Sequence, residues 1–286
     1  MNEFVRNFFE RNFMNKKYLL LLIMCAVMVS CKKNYGIDPP PPPIDPVPTV
    51  LLKDIVIPNL PSPYYHFEYN SAGKPTLASF ASGFAVYNII YSGGRISEMQ
   101  NIAINNDRLQ YFYDNLGRAI LINYVDAGGV VHKRVHLTYD GQKLIKTERE
   151  LKIGADFVVD KTMIMSYQTD GNLQEIAYHL PAINTMQPES NFTDRFEQYD
   201  NKLNTYGFSL LHNDFFDQLI LLPGVELQKN NPGKEIRGGD VVHYEVDYAY
   251  TYNEKNAPLT QVGAGIILTG PDAGQSFQTN SVFSYY

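Results

Sequence analysis

The chain has 286 residues, with 24 Lys and Arg against 30 Asp and Glu, a net charge of −6 and a pI near 5.5. The cations are thinly spread with no basic stripe, which argues against nucleic acid as a partner. The two cysteines, Cys25 and Cys31, both fall near the N-terminus, so the rest of the chain has no disulfide framework, thiolate metal site or cysteine nucleophile.

Taken in order, residues 1–13 (MNEFVRNFFERNF) fit no pattern, and Met14 reads as the true start, with 1–13 a misassigned extension. Residues 14–30 read as a signal peptide: Lys16 and Lys17 precede the apolar run Leu19–Val29. That run is shorter than the roughly 20 residues a spanning helix needs. Ser30 and Cys31 resemble the lipobox of bacterial lipoproteins, in which the cysteine is acylated and becomes the first mature residue; Met28 stands where that family usually has leucine. Residues 31–50 then form a lipidated cysteine and a stalk. Pro39–Pro43, Pro46 and Pro48 favour polyproline II at about 3.1 Å per residue, up to roughly 60 Å in all. Lys32-Lys33 supplies no acidic cluster after the cysteine, which leans toward the periplasmic face over the cell surface.

From 51 to 286 the chain reads as one domain of β-hairpin repeats. Leu51–Ile57 is a first strand, closed by Pro58, Pro61 and Pro63. Alternating apolar residues then lead to a tyrosine, a polar turn and a new apolar run: Tyr69 with Asn70–Lys74, Tyr91 with Ser92–Arg95, Tyr113 with Asp114–Arg118, Tyr139 with Asp140–Lys143, and Tyr167 with Gln168–Asn172. Weaker copies follow at Tyr199–Leu203 and Tyr252–Leu259. Side chains alternate along a strand with period two, and Asn, Asp and Gly tolerate the turn conformations. The interval between marker tyrosines drifts (69 to 91, 91 to 113, 113 to 139), so a strict solenoid is not expected. Ser209–Leu222 breaks the rhythm: apolar residues at 210, 211, 215, 219 and 222 have helical spacing, and Pro223-Gly224 stops it. The expected fold is all-β, an extended antiparallel meander forming a curled open sheet or incomplete barrel, with one short α-helix on its concave side.

The tyrosine, turn and Gly-Arg or Gly-Lys spacing resembles the YD repeats of the RHS family, best at Tyr113-Asp114-Asn115-Leu116-Gly117-Arg118. The combined order of lipobox, YD-like hairpins, Tyr199–Asn204, an apolar segment and Lys229-Asn230-Asn231-Pro232 is similar to an uncharacterised lipoprotein family of Bacteroides-like bacteria. That resemblance implies an outer-membrane, cell-envelope protein with an extended sheet. It implies no activity, so no catalytic residue is carried over.

Chemistry is sparse. His243, Glu245 and Asp247 share one strand face and could bind a cation or serve as an acid–base pair in a hydrolase, but a solvated strand face looks the same and is preferred. His132 and His136, four apart on a strand, lie about 13 Å from each other and cannot share a metal. No nucleophile elbow, P-loop or dinucleotide fingerprint occurs. Gly263-Ala264-Gly265 reads as a bulge or turn. The tyrosine stripe reads as core, with a sugar-stacking platform as the alternative. The expectation is a non-enzymatic, cofactor-free lipoprotein, held in the membrane by a lipid on Cys31. It would bind or scaffold an envelope protein or, as the alternative, a glycan or peptide.

Overall fold

Several of the polar turns close in one way, while Ser92–Arg95 and Asp140–Lys143 are tight two-residue hairpins. At 114–118 the Asp114 N–H donates to the Arg118 carbonyl and the Gly117 N–H to the Asp114 carbonyl, both at 3.0 Å. The Asp114 carboxylate accepts the N–H groups of Leu116 and Arg118 at 2.9 Å. Asn70 and Asn253 make the same pattern with their amide oxygens. The fourth turn position is left-handed, φ +83° at Gly117 and 61° at Asn256, which is where glycine or asparagine is needed.

The structure, a computed structural model, describes residues 50–183, 188–204, 208–211 and 219–286. The signal peptide, Cys31 and the proline stalk lie outside these residues, as does 212–218 in the middle of the expected helix. The first strands are β1 (Leu52–Val56), β2 (Tyr65–Tyr69), β3 (Pro75–Phe80), β4 (Ala85–Ser92), β5 (Arg95–Asn101) and β6 (Arg108–Tyr113). They continue as β7 (Ala119–Val125), β8 (Val131–Asp140), β9 (Lys143–Ile153), β10 (Asp156–Tyr167), β11 (Leu173–Leu180) and β12 (Ser190–Glu197). After β13 (Phe208–Leu211) and β14 (Ile220–Pro223) come β15 (Lys234–Gly239), β16 (Tyr244–Tyr252), β17 (Pro258–Ile267) and β18 (Ser276–Tyr285).

Sixteen of these strands form a closed antiparallel barrel in chain order, with β12 paired to β15 and β18 paired back to β1. This corrects the expectation of an open sheet or incomplete barrel. The closing pair, Leu52 opposite Tyr285, joins opposite ends of the domain, so no local pattern announces it. Accumulated twist over so many strands, with one apolar face to bury, favours closure.

The expected helix is also overturned: among the described residues there is no helix, and both ends of Ser209–Leu222 are strands of the separate β13–β14 hairpin. This hairpin lies among the inward side chains. Leu219, Leu221 and Leu222 are fully buried in the same core as Phe67, Met99, Leu109 and Ile122 from the wall. The Tyr111 hydroxyl on β6 donates to the Leu221 carbonyl at 3.0 Å. A strand buried on both faces has no reason to alternate, and its apolar residues then imitate a helix.

The marker tyrosines point inward and bind the preceding hairpin. The hydroxyls of Tyr91, Tyr113 and Tyr167 donate to the carbonyls of Pro75, Ile96 and Leu144, at 2.8, 2.7 and 2.6 Å. Each acceptor is the first residue after the preceding turn. The last residue of that same turn lays its cation on the tyrosine ring: Lys74 on Tyr91, Arg95 on Tyr113, Arg118 on Tyr139 and Lys143 on Tyr167. The Gly-Arg and Gly-Lys spacing is thus a contact between successive hairpins. Burial pushes the Tyr167 phenol up to about 12.

Tyr139 keeps the cation but its buried hydroxyl has no partner. Tyr113→Phe is therefore expected to cost about 1 kcal/mol, or roughly 2–4 °C in Tm, while Tyr139→Phe is neutral or slightly stabilising. Calorimetric melting checks this; equal losses at the two positions would refute the ladder.

Candidate functional site

The strand expected to carry chemistry is β16. Its outward Glu245 and Asp247 both meet the Lys234 ammonium from β15, at 3.0 and 3.4 Å. Hydrogen bonding to Glu245 holds the Lys234 ammonium above its ordinary value, with Asp247 adding to the effect. His243 lies just before β16 and turns its ring to the Gly239 carbonyl, 2.7 Å away, so the three residues do not converge. Among the described residues no group of three or more His, Cys, Asp or Glu side chains could hold a metal ion. His132 and His136 go to different carboxylates, Asp107 and Glu150. Gly263 and Gly265 are regular members of β17, opposite Tyr248 and Val246, which corrects the bulge or turn expected there. A Cβ on Gly265 would lie 2.3 Å from the Phe277 ring, so these glycines make room for inward aromatic rings.

The two faces of the wall differ sharply. Outward side chains form ion pairs around the barrel: Asp54 with His66, Arg108 with Glu98, Lys146 with Glu148, and Arg195 with Glu197. Outward apolar side chains such as Ile90, Phe112, Ile164 and Val262 are interspersed with these polar groups. A lipid-facing barrel wall instead carries an outward apolar band about 25 Å tall over a polar interior. Much of the inner face is aliphatic and aromatic and shares one core with the β13–β14 hairpin, while the register of β17 with β18 turns Gln261, Thr279 and Ser281 to the same side.

Charged groups also sit on the inner face. The buried Asp160 carboxylate on β10 takes bonds from the Arg149 guanidinium on β9 at 2.7–3.0 Å, with Lys161 buried beside them. A second charged cluster joins β12 and β15. The Asp194 carboxylate on β12 takes two bonds from the Arg237 guanidinium on β15, both 2.6 Å, and the guanidinium lies over the rings of Phe192 and Tyr244. Beside it Glu235 accepts the hydroxyls of Tyr244 and Tyr248 at 2.9 and 2.8 Å. Burial raises the Glu235 carboxyl above its ordinary value, more than the tyrosine bonds lower it. Sequence reading missed this cluster. The available signal was Asp194 between Phe192 and Phe196, a carboxylate at a position whose alternation marks it as buried.

The wall pairing has a gap on one side of β16. β15 pairs with β16 only up to Asp247, opposite Lys234, where β12 also ends on the far side of β15, so Tyr248–Tyr252 pair with β17 on one side and on the other meet the Gly233 carbonyl through the Tyr248 N–H, at 2.8 Å. A cleft of about 550 Å³ opens there, lined by the three tyrosines of this strand and by Gln198, Asp200, Asn201, Lys202 and Asn231. The Asp200 carboxylate fixes the floor: it accepts the backbone N–H of Lys202 at 2.9 Å and of Asn231 at 3.1 Å, and also the Tyr252 hydroxyl. The Tyr250 and Tyr252 rings lie 6.0 Å apart and within 26° of parallel.

No known protein family matches this chain, and no curated protein matches it. Solved structures do resemble it. A porin-like protein from Bacteroides uniformis aligns with a TM-score of 0.53 and 13% identity, over 78% of this chain and 89% of the other. A porin-like protein from Bacteroides vulgatus aligns with a TM-score of 0.52 and 11% identity, over 82% and 99%. The TcdB2-TccC3-Cdc42 structure aligns with a TM-score of 0.30 and 13% identity, over 74% of this chain and 14% of that one. At these identities the porin-like matches establish the barrel fold.

Proposed function

We propose that this protein is a non-catalytic binding or scaffolding module of the bacterial cell envelope, anchored by a lipid on Cys31, with its barrel held in water at the end of the proline stalk. The observation that carries the reading is the wall's two faces: ion pairs outside, and inside a core of buried apolar side chains that includes the β13–β14 hairpin. An Arg or Lys on the lipid face costs about 2–4 kcal/mol at the bilayer midplane, and several surround this barrel. The barrel thus does not suit a pore, whereas the lipobox resemblance at Ser30-Cys31 supplies a separate means of attachment, since two acyl chains hold a protein stably. The porin-like folds of the two Bacteroides proteins are compatible with an envelope location. The pairing of Glu245 and Asp247 with Lys234 weighs against a hydrolase.

Cys31→Ser is expected to abolish acylation and leave an uncleaved or mislocalised precursor, measured by lipid labelling and membrane fractionation. Undiminished membrane anchoring of the variant would overturn the reading. Protease shaving of intact cells, followed by blotting for the barrel, distinguishes the periplasmic face from the cell surface; survival of the barrel is expected.

A further inference from the structure

The cleft beside Tyr248–Tyr252 combines two kinds of surface. On one side is a step of two near-parallel tyrosine rings; on the other is a set of amide and carboxylate groups from Gln198–Lys202 and Asn231. Its floor is already ordered, because Asp200 and Asn231 are hydrogen-bonded to each other, to Tyr252 and to the Leu203 carbonyl. Asn201 and Gln198 stand exposed at its mouth. The volume falls in the range of about 300–1,000 Å³ that small-ligand sites occupy.

The chemistry selects among ligands. Anionic ligands would meet the carboxylates of Asp200 and Asp247, against the single ammonium of Lys202, which is bonded to Asn256. An extended peptide would want apolar pockets at alternate positions, and the lining offers none. A pyranose presents C–H patches on its ring faces and hydroxyls around its edge, which suits aromatic faces flanked by amides and a carboxylate.

We propose that this cleft binds a neutral oligosaccharide, with Tyr250 and Tyr252 under the sugar ring, Asn201 and Gln198 at its hydroxyls, and Asp200 holding the floor in place. This deepens the binding reading above and does not depend on the lipid anchor. A chain beginning at Lys32 contains every strand of the barrel, since the wall closes between Leu52 and Tyr285.

The test titrates that chain with β-glucan, mannan and chitin oligomers by calorimetry, with tyrosine ring signals followed by NMR. At least one oligomer is expected to bind and to shift the Tyr250 and Tyr252 resonances. Asn201→Ala, at an exposed position, and Tyr252→Leu are each expected to weaken binding about tenfold, the step that corresponds to about 1.4 kcal/mol. The melting temperature of each variant verifies its fold. Absence of binding to all three oligomers, or full affinity in both variants, would overturn the proposal. Membrane release of Cys31→Ser is read separately, so failure of the anchor and failure of the cleft are distinguishable.

Discussion

Leu221→Asp is expected to lower stability by more than ~5 kcal/mol, a fall of at least about 10 °C in Tm for a domain of this size. The residue is fully buried on β14, inside the barrel. An aspartate there would lose its water among buried leucines. Its main chain also receives the Tyr111 hydroxyl, so displacement of the hairpin strands a buried phenol as well. Leu221→Ala should cost less, about 2–5 kcal/mol, by transfer and cavity terms alone. Leu116→Asp, on an exposed turn tip, should stay within about 0.5 kcal/mol. Calorimetry on the three variants decides the matter. If Leu221→Asp melts like Leu116→Asp, the hairpin is no part of the core.

Asp194→Ala is expected to cost about 3–5 kcal/mol in denaturant unfolding, because it leaves a guanidinium uncompensated. Asp194 is buried, and both of its oxygens are used by Arg237. Burial alone would lower the Arg237 affinity for its proton; the bonds and charge of Asp194 reverse this and raise it. Glu235 stands nearby but is committed to Tyr244 and Tyr248. Replacing both partners at once, as Asp194→Leu with Arg237→Met, should recover most of the loss, since neither charge is then left alone. A loss under about 0.5 kcal/mol for Asp194→Ala would show that water or Glu235 takes over the pairing.

Much of the wall was legible because its signals are local. Asp114 to Arg118 specifies a turn from five consecutive residues, and the alternation before Tyr69, Tyr91 and Tyr113 specifies which side of each strand is buried. Closure was not legible, because Leu52 and Tyr285 meet without any sequence proximity. The β13–β14 hairpin was misread because Leu210, Leu211, Leu219 and Leu222 record burial on all sides, which helix and plug share. The cleft depends on where β12 and β15 stop relative to β16, a matter of register. The tyrosine stripe was read as core, yet Tyr252 at its end lines a cleft open to solvent.

The return of β18 to β1 places the two ends of the domain side by side: the Tyr286 N–H donates to the Leu51 carbonyl at 3.0 Å. Both ends therefore leave from the rim that carries the Asx turns after β2, β6 and β16. A short linker could join them and new termini could be cut elsewhere, a circular permutation that a domain with adjacent ends tolerates. Opening the chain at an Asx turn would keep the new termini on the present rim; opening it at the β3–β4 or β7–β8 loop would move them to the opposite rim. Whatever is fused to the new N-terminus would then leave the barrel from the side of the β3–β4 and β7–β8 loops.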